Sequence, residues 1–256
     1  MGRNAETTIA DTIRSVSAQD YPDLEHIIID GASTDGTLAV IEAHAHSGLR
    51  IHSERDSGIY DAMNKGVAAA SGDLIGFLNA DDFLCRKDAI TLIARGARKG
   101  SSCAVGGAVA IVDPKALRRV VRAYPARGFS PWMMRFGHMP PHPAFYARAE
   151  AFRKVGLFDS AMKIGGDFEW MVRFFHSHRL KATFIRETLV TMRHGGISTG
   201  GIRNKILLNR EANRSLRAQG FHSHEAVLWL KYLTKSAQWI APAADYPPPH
   251  EVRWRP

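Results

Sequence analysis

SERDSGIYDAMNKGVAAASGDLIGFLNADDF, residues 53–83, is the stretch on which the reading of this chain turns. It opens with a charged turn. Small and apolar residues predict a helix over Ile59–Ala70, which Ser71-Gly72 stops. An apolar strand is predicted over Leu74–Leu78. At its carboxyl end stand Asn79, Ala80, Asp81 and Asp82. Two adjacent carboxylates straight after a buried strand repel one another and are poorly solvated. A divalent cation such as Mg²⁺ or Mn²⁺, or a cationic partner, resolves that conflict; hard cations take oxygen ligands and need only one or two carboxylates when waters and phosphates complete the shell. The alternative is structural: an Asx-turn, or a cap for the helix predicted over Lys87–Lys99. In open α/β sheets, ligands bind outside the carboxyl ends of the strands.

The same grammar extends upstream. Leu24–Ile29 (LEHIII) predicts a strand, Leu38–Ala45 a helix and Leu49–His52 a strand. Between the first two lies DGASTDGT, residues 30–37. It reads either as a strand-to-helix turn with Asp35 as N-cap, or as a nucleotide pocket in which Asp30 accepts a hydrogen bond from base or ribose. Alternating short apolar strands and helices imply β-α units and a layered α/β fold. Ile9, Ile13 and Val16 predict a helix over Ala5–Gln19 with Asn4 as N-cap. Such domains open with a buried strand, whereas here only MGRN precedes the helix. The expectation is a sheet without its first strand, through a truncated or misplaced start.

Downstream, Cys103–Val112 and Leu117–Tyr124 predict a strand pair around Asp113-Pro114. Short elements follow at Ala144–Ala147 (strand) and Ala149–Val155 (helix). Gly165-Gly166 precedes a helix over Asp167–His178, and strands are predicted at Ala182–Ile185 and Thr188–Met192. Helices are predicted over Ile202–Gln219 and Glu225–Ile240, then a loose tail around Pro247–Pro249.

The 256 residues are 45% hydrophobic and 23% charged, a globular composition. No apolar run is long enough to span a bilayer, and no secretory signal opens the sequence. Cys85 and Cys103 lack metal-ligand spacing, so free thiols and a cytoplasmic location are the expectation. The formal charge is +9. Its basic residues are dispersed, with no nucleic-acid motif, so phosphates on small substrates or an anionic membrane account for it, and nucleic acid is not the expected partner.

In order, NAETT, IIIDGASTDGT, residues 54–82 and the later GGDFEW resemble the family-two inverting glycosyltransferases of GT-A fold, a Rossmann-type mixed sheet flanked by helices. The resemblance runs from Asn4 to about Thr199, and the run Glu54–Asp82 is highly specific. It implies a nucleotide-sugar donor, a glycan or lipid-linked acceptor in bacterial cell-surface assembly, and a divalent metal (Mn²⁺ or Mg²⁺) held through a DxD element. Residues 1–200 would form the transferase domain, 1–100 serving the donor and 101–200 the acceptor. Residues 201–256 would be a helical extension and tail.

Carried over to this sequence, Asp30 matches the acidic residue that contacts the nucleoside. Asp56 and Gly58 match the loop over base and ribose, and Asn64 and Lys65 the helix facing the donor. Asn79 and Asp81 occupy the two ends of DxD. Asn79 departs from the pattern, since it bonds ribose but brings no charge. Asp81 is then the metal ligand with Asp82 beside it, and His194 (RHGGIST) a contact to metal or diphosphate. His142 (PPHPAF) would line the acceptor side. Asp167 matches the catalytic base, which takes the proton of the attacking hydroxyl. Asp167 also reads as a helix cap, and the two roles are compatible. Gly166 stands where the family often has Glu.

The segment Glu225–Ile240 carries Lys231 and Lys235 among Leu, Trp and Tyr. It reads as a helix packed on the core, or as an interfacial helix at the inner face of a membrane. Two other functions share these features. A nucleotidyltransferase would carry a Gly-rich phosphate loop, which is absent here. A non-catalytic or inactive nucleotide-sugar-binding protein is the other.

Overall fold

Ile9, Ile13 and Val16 recur at helical spacing, and in the computed structural model they line the buried face of α1 (Ile9–Ser17). The structure describes residues 2–195 and 201–240, with side chains to residue 232. The stretch up to Thr199 after Gly195 and the tail around Pro247–Pro249 lie outside the described residues. α1 starts later than its sequence suggests, with Thr8 as N-cap. Asn4 does not cap it. Asn4 sits at φ +55°, and its Oδ1 accepts the N–H of Thr34 at 2.9 Å.

The elements then follow in the expected order: β1 (His26–Asp30), α2 (Thr37–Ala43), β2 (Leu49–Ser53), α3 (Ile59–Ala69), β3 (Leu74–Ile75), β4 (Phe83–Leu84), α4 (Ala89–Arg98), β5 (Ala104–Asp113), β6 (Ala116–Tyr124), β7 (Phe145–Arg148) and α5 (Ala149–Val155). α6 (Gly166–Val172) passes into one π-helical turn, Arg173–Ser177. The two strands predicted after it are one long strand, β8 (Ala182–Arg193). Parallel pairing with β5 carries it through, and a register irregularity opposite Gly106–Val109 absorbs the polar Arg186-Glu187 break. α7 (Gly201–Ala218) and α8 (Glu225–Ile240) close the described chain.

The strands form two sheets. β1 and β2 pair in parallel. The other six run in the order β3-β7-β5-β8-β4, with β6 on β5. Only β5–β8 is parallel in this larger sheet, so it is mixed. The predicted strand Leu74–Leu78 shrinks to two residues, because β3 pairs only with β7 among the described residues. Gly2 forms a parallel bridge to Asp30.

Two apolar clusters hold the larger sheet. On one side, Ala89, Ile93 and Ala97 of α4 pack on Val105, Val109, Leu189 and Val190. On the other, Trp170, Phe174 and Phe175 join Phe145, Phe152 and Phe158, with Trp170 stacked on Phe152 at 4.7 Å. A third cluster of Ile9, Ile13, Ile28, Ile41 and Ala80 seats α1 between β1 and the acidic segment.

Candidate active site

The acidic segment folds into a turn in which Asp82 N–H donates to the carbonyl of Asn79 at 3.1 Å. Asp82 points inward. It is 1% exposed, and its carboxyl accepts the Asn79 amide at 3.0 Å. Burial, reinforced by the charge of Asp81, pushes its pKa up to about 8. Asp81 is half-buried. Two residues that the sequence did not single out hold this turn. Thr12 of α1 places its hydroxyl 2.7 Å from the Asp82 carbonyl and 3.0 Å from that of Ala80. Arg193, the last residue of β8, donates to the Asp81 carbonyl, pairs with Asp11 and lies over the Phe83 ring.

His194 follows Arg193 at once. It is exposed, and its N–H donates to the Val112 carbonyl at 2.9 Å. Antiparallel pairing of Phe83 with Thr191 sets this end of β8 beside the acidic turn. Among the described residues no three carboxylate, imidazole or thiolate groups converge as a cage. The donor set is instead one half-buried carboxylate, Asp81, with Asp82 inward and the exposed His194 next to Arg193, which donates to the Asp81 carbonyl. That chemistry fits a hard cation which draws its remaining ligands from phosphates and water.

Asp30 ends β1 and is 1% exposed. Its carboxylate accepts the N–H of Ser33 at 3.0 Å and the hydroxyls of Ser33 and Ser53, the latter at 2.7 Å. It therefore ties DGAST to the end of β2. Asp56 accepts the N–H of Gly58 at 3.1 Å and lies against Gly31. A Cβ on Gly31 would come within 2.5 Å of Asp56 Oδ2, so the loops after β1 and β2 interlock at that glycine. Asp35 is not the N-cap of α2, which is Gly36; one residue further out, its carboxylate accepts the N–H of Thr37 at 3.1 Å.

Asn64 and Lys65 on α3 have structural partners. Asn64 makes a paired bond with the backbone of Phe158, 2.9 Å in each direction. Lys65 donates to the Arg55 carbonyl at 2.7 Å and pairs with Glu54 at 3.0 Å, bracing the charged turn.

Asp167 lies in the first turn of α6, whose N-cap is Gly165. Its Oδ1 accepts its neighbour Phe168 N–H at 2.8 Å and sits 3.4 Å from the Tyr60 hydroxyl. Tyr60, Tyr124 and His142 all feel its charge. Burial raises the phenol pKa of Tyr60, and pushes that of Tyr124 up to about 12. Burial lowers the pKa of His142 against the opposing pull of Asp167. His142 is buried, stacked on Phe77 at 5.6 Å and edge-on to Phe158. Phe77 leads directly to the acidic turn, so one aromatic cluster joins that turn to the Asp167 loop. Gly166 has a steric reason for replacing Glu: a Cβ there would meet the Tyr60 ring at 2.8 Å.

Glu211 of α7 completes the loop. Its carboxylate accepts the N–H groups of Lys163, Ile164 and Gly165 at 2.8, 3.0 and 2.7 Å.

Residues 3–165 match the model of the family described as glycosyl transferase family 2. The chain belongs to glycosyl transferase family 2. An uncharacterized glycosyltransferase of Mycobacterium tuberculosis is 32% identical over 167 residues, 63% of this chain and 62% of that protein. The match thus spans just under two thirds of that relative's length. A PGL/p-HBAD biosynthesis glycosyltransferase of Mycobacterium bovis is 26% identical over 212 residues, covering 81% of this chain and 80% of that one. The mannosyltransferase PcManGT from Pyrobaculum calidifontis, solved with GDP-Man and Mn²⁺, superposes with a TM-score of 0.63 at 17% identity, covering 97% of this chain and 75% of that one. The fold of this family-two chain is GT-A.

The family match ends two residues before Asp167, and α7 and α8 lie beyond it. α8 packs on the protein through Leu228 and Lys231, both buried. The Lys231 stem runs along Gly137, and its ammonium sits 5.3 Å from the Tyr232 ring centroid. Among the described residues no helix is long and apolar enough to cross a membrane.

Proposed function

We propose that this chain transfers a sugar, with inversion, from a nucleoside-diphosphate sugar to an acceptor hydroxyl on a glycan or lipid-linked glycan. The observation that carries the reading is the setting of Asp167. Its carboxylate stands at a rigid helix start, and the aromatic cluster under it continues into the segment that bears Asp81. A base and a diphosphate-binding turn are needed within one site for a single displacement.

In this reading Asp167 takes the proton of the acceptor hydroxyl as it attacks the anomeric carbon from the face opposite the leaving nucleotide. Helix α6 and the Glu211 carboxylate restrict the motion of its backbone, which favours a productive geometry. Asp56 and the Gly31–Ser33 loop contact the nucleoside, with Asp30 holding that loop closed. Asp81, with Asp82 and His194 as further candidates, would hold a divalent cation. When bound, that ion neutralises charge building on the diphosphate. The Mn²⁺ and GDP-Man of the Pyrobaculum neighbour, and the glycosyltransferase relatives, support donor class and metal. His142 lies under the acceptor side as a buried wall.

A panel of UDP-, GDP- and dTDP-sugars, with Mn²⁺ and a glycan acceptor set, tests this by nucleoside-diphosphate release and product anomer. Asp167→Asn is expected to lower the rate by about 10²–10⁴-fold with the fold intact. A wild-type rate in that variant overturns the base assignment, and a retained anomer overturns inversion.

A further inference from the structure

The net charge of this chain gathers in two stretches that the fold brings together. Residues 114–144 hold six Lys and Arg and no Asp or Glu. Residues 201–232 hold six more, against two carboxylates, Glu211 and Glu225. Twelve cations against two anions give +10, where the whole chain carries +9, so the remainder is close to neutral. Glu211 is already committed to the N–H groups of Lys163, Ile164 and Gly165. The two stretches adjoin, because α8 packs against β6, against the 3₁₀ turn Pro131–Phe136 and against α7.

At their junction the cations are recessed. Lys231 is 2% exposed and Lys205 is half-buried. Both ammonium groups lie at the ring of Tyr232, 5.3 and 5.5 Å from its centroid. Each cation–π contact is attractive, yet two like charges drawn to one ring repel, and more strongly than they would in water. Asn209 stands one turn on from Lys205, on the same face of α7. It is 0% exposed, and neither its amide nitrogen nor its oxygen has a hydrogen-bond partner among the described residues. Burying such an amide is unfavourable unless something bonds to it. A Cβ on Gly137 would meet Lys231 Nζ at 3.2 Å, so the ammonium lies against that glycine. Two residues on, the Met139 carbonyl accepts the Tyr124 hydroxyl. Tyr124 feels the charge of Asp167 and has the Arg122 guanidinium 5.4 Å from its ring centroid. The short segment Gly137–Met139 thus links Lys231 to the surroundings of Asp167.

We propose that this junction binds a phosphate group borne by the acceptor, with Lys205 and Lys231 as its cations and Asn209 as an amide donor. An ammonium is a compact charge with three rotatable donors, which suits a tetrahedral phosphate; a planar carboxylate is better met by the fork of an arginine. A bilayer surface is the other anion that such a charge could meet. It attracts cations that stand out towards it, whereas these two are set inward. The phosphate site itself is independent of sugar transfer, and its assignment to the acceptor rests on the transfer reading above.

Titration calorimetry of the full chain with glucose 6-phosphate, monomeric dodecyl phosphate and glucose tests the site. Buffer free of divalent cations keeps metal-bound phosphate off the Asp81 turn. Both phosphates are expected to bind and glucose is not. Tighter binding of dodecyl phosphate assigns a lipid-carried phosphate, and tighter binding of glucose 6-phosphate a phosphate on a soluble glycan. Lys231→Met and Lys205→Gln are each expected to weaken phosphate binding at least about tenfold, as loss of a charged hydrogen-bond donor does. Arg210→Gln removes the same charge from an exposed position on α7 and should change it by less than about twofold, since exposed charges are screened. Lys205 is half-buried, so its variant remains readable if Lys231→Met does not fold. Equal losses in all three variants signify diffuse attraction and overturn the site. Binding to phosphatidylglycerol vesicles with neither phosphate probe bound also overturns it, in favour of a membrane surface. Equal rates of transfer to a glucoside and to its 6-phosphate, with the probe still bound, overturn the acceptor assignment. Phosphate binding without sugar transfer to any acceptor supports the junction and overturns the transfer reading instead.

Discussion

The Glu211 carboxylate accepts the N–H of Gly165 at 2.7 Å, and Gly165 is the N-cap of the helix that carries Asp167. A side chain far along the sequence thus supplies what a local Ser or Asp cap supplies elsewhere. It also takes the two preceding N–H groups, at 3.0 and 2.8 Å. Glu211→Ala leaves three donors without that carboxylate and is expected to cost ~2–3 kcal/mol, since hydrogen bonds to charged groups are the stronger kind. Urea denaturation measures the loss. Turnover should fall more than donor KM rises, because the loop of the base is loosened and not the donor pocket. Glu211→Gln, which keeps an acceptor oxygen, should lie between the two.

Asp81 and Asp82 are neighbours with opposite aspects, and their variants should separate. Asp81→Ala is expected to weaken Mn²⁺ binding in the presence of nucleoside diphosphate by at least about tenfold, ~1.4 kcal/mol. Asp82→Asn keeps an acceptor for Asn79 and removes a carboxyl that burial disfavours as an anion. It should leave Mn²⁺ affinity within about twofold, well under 1 kcal/mol. Titration calorimetry distinguishes them. A large loss in the second variant would put Asp82 on the metal.

Gly31→Ala inserts a methyl group where Asp56 Oδ2 now lies 2.5 Å away. Either the Asp56 side chain or the loop after β1 must move. Nucleoside-diphosphate affinity is expected to fall about tenfold, while global stability changes little because both loops lie at the surface ends of their strands. An unchanged affinity would remove Asp56 from the nucleoside pocket.

Acid sensitivity has a local source in His26. It stacks on His46, with ring nitrogens 3.1 Å apart, and burial followed by the His46 charge lowers its pKa to about 3. The unfolded chain binds the His26 proton near pH 6.5, whereas the folded one does not until about pH 3. Stability from this residue is therefore complete above pH 6.5 and declines as pH falls towards 3. One proton sets a limiting slope of ~1.4 kcal/mol per pH unit. His26→Gln should flatten the stability profile in that window, as followed by denaturant midpoints at stepped pH.

Much of this was legible in the residues. The β-α alternation, the acidic turn after an apolar strand and the helix after Gly165-Gly166 follow from periodicity and punctuation. So does the break at Ser71-Gly72. What escaped depends on partners distant in sequence. Thr12, Arg193 and Glu211 carry no local signature, since their roles exist only once α1, β8 and α7 arrive at the loops they hold. Tyr60 lay inside the most telling stretch, yet its approach to Asp167 needs α3 packed under α6. Leu74–Leu78 reads as a strand of five in sequence because apolar runs report burial, whereas strand length reports ladder partners. The family resemblance implies a donor-facing role for Asn64 and Lys65; the hydrogen bonds seen for them go to Phe158 and to the charged turn.

The division of the strands into a pair and a set of six has a thermodynamic consequence. The Asp30 and Asp56 loops ride on the pair, whereas Asp81 and Asp167 ride on the larger assembly. The pair is held to the rest by α1, through the cluster that includes Ile28, and by α3, which packs on β1; were those contacts to loosen, the pair would open at lower free energy than the whole. A ligand that touched both would act as a clasp. Its apparent affinity would be scaled by the fraction of molecules in which the pair is docked, and in return it would suppress the opening of that pair before any global melting.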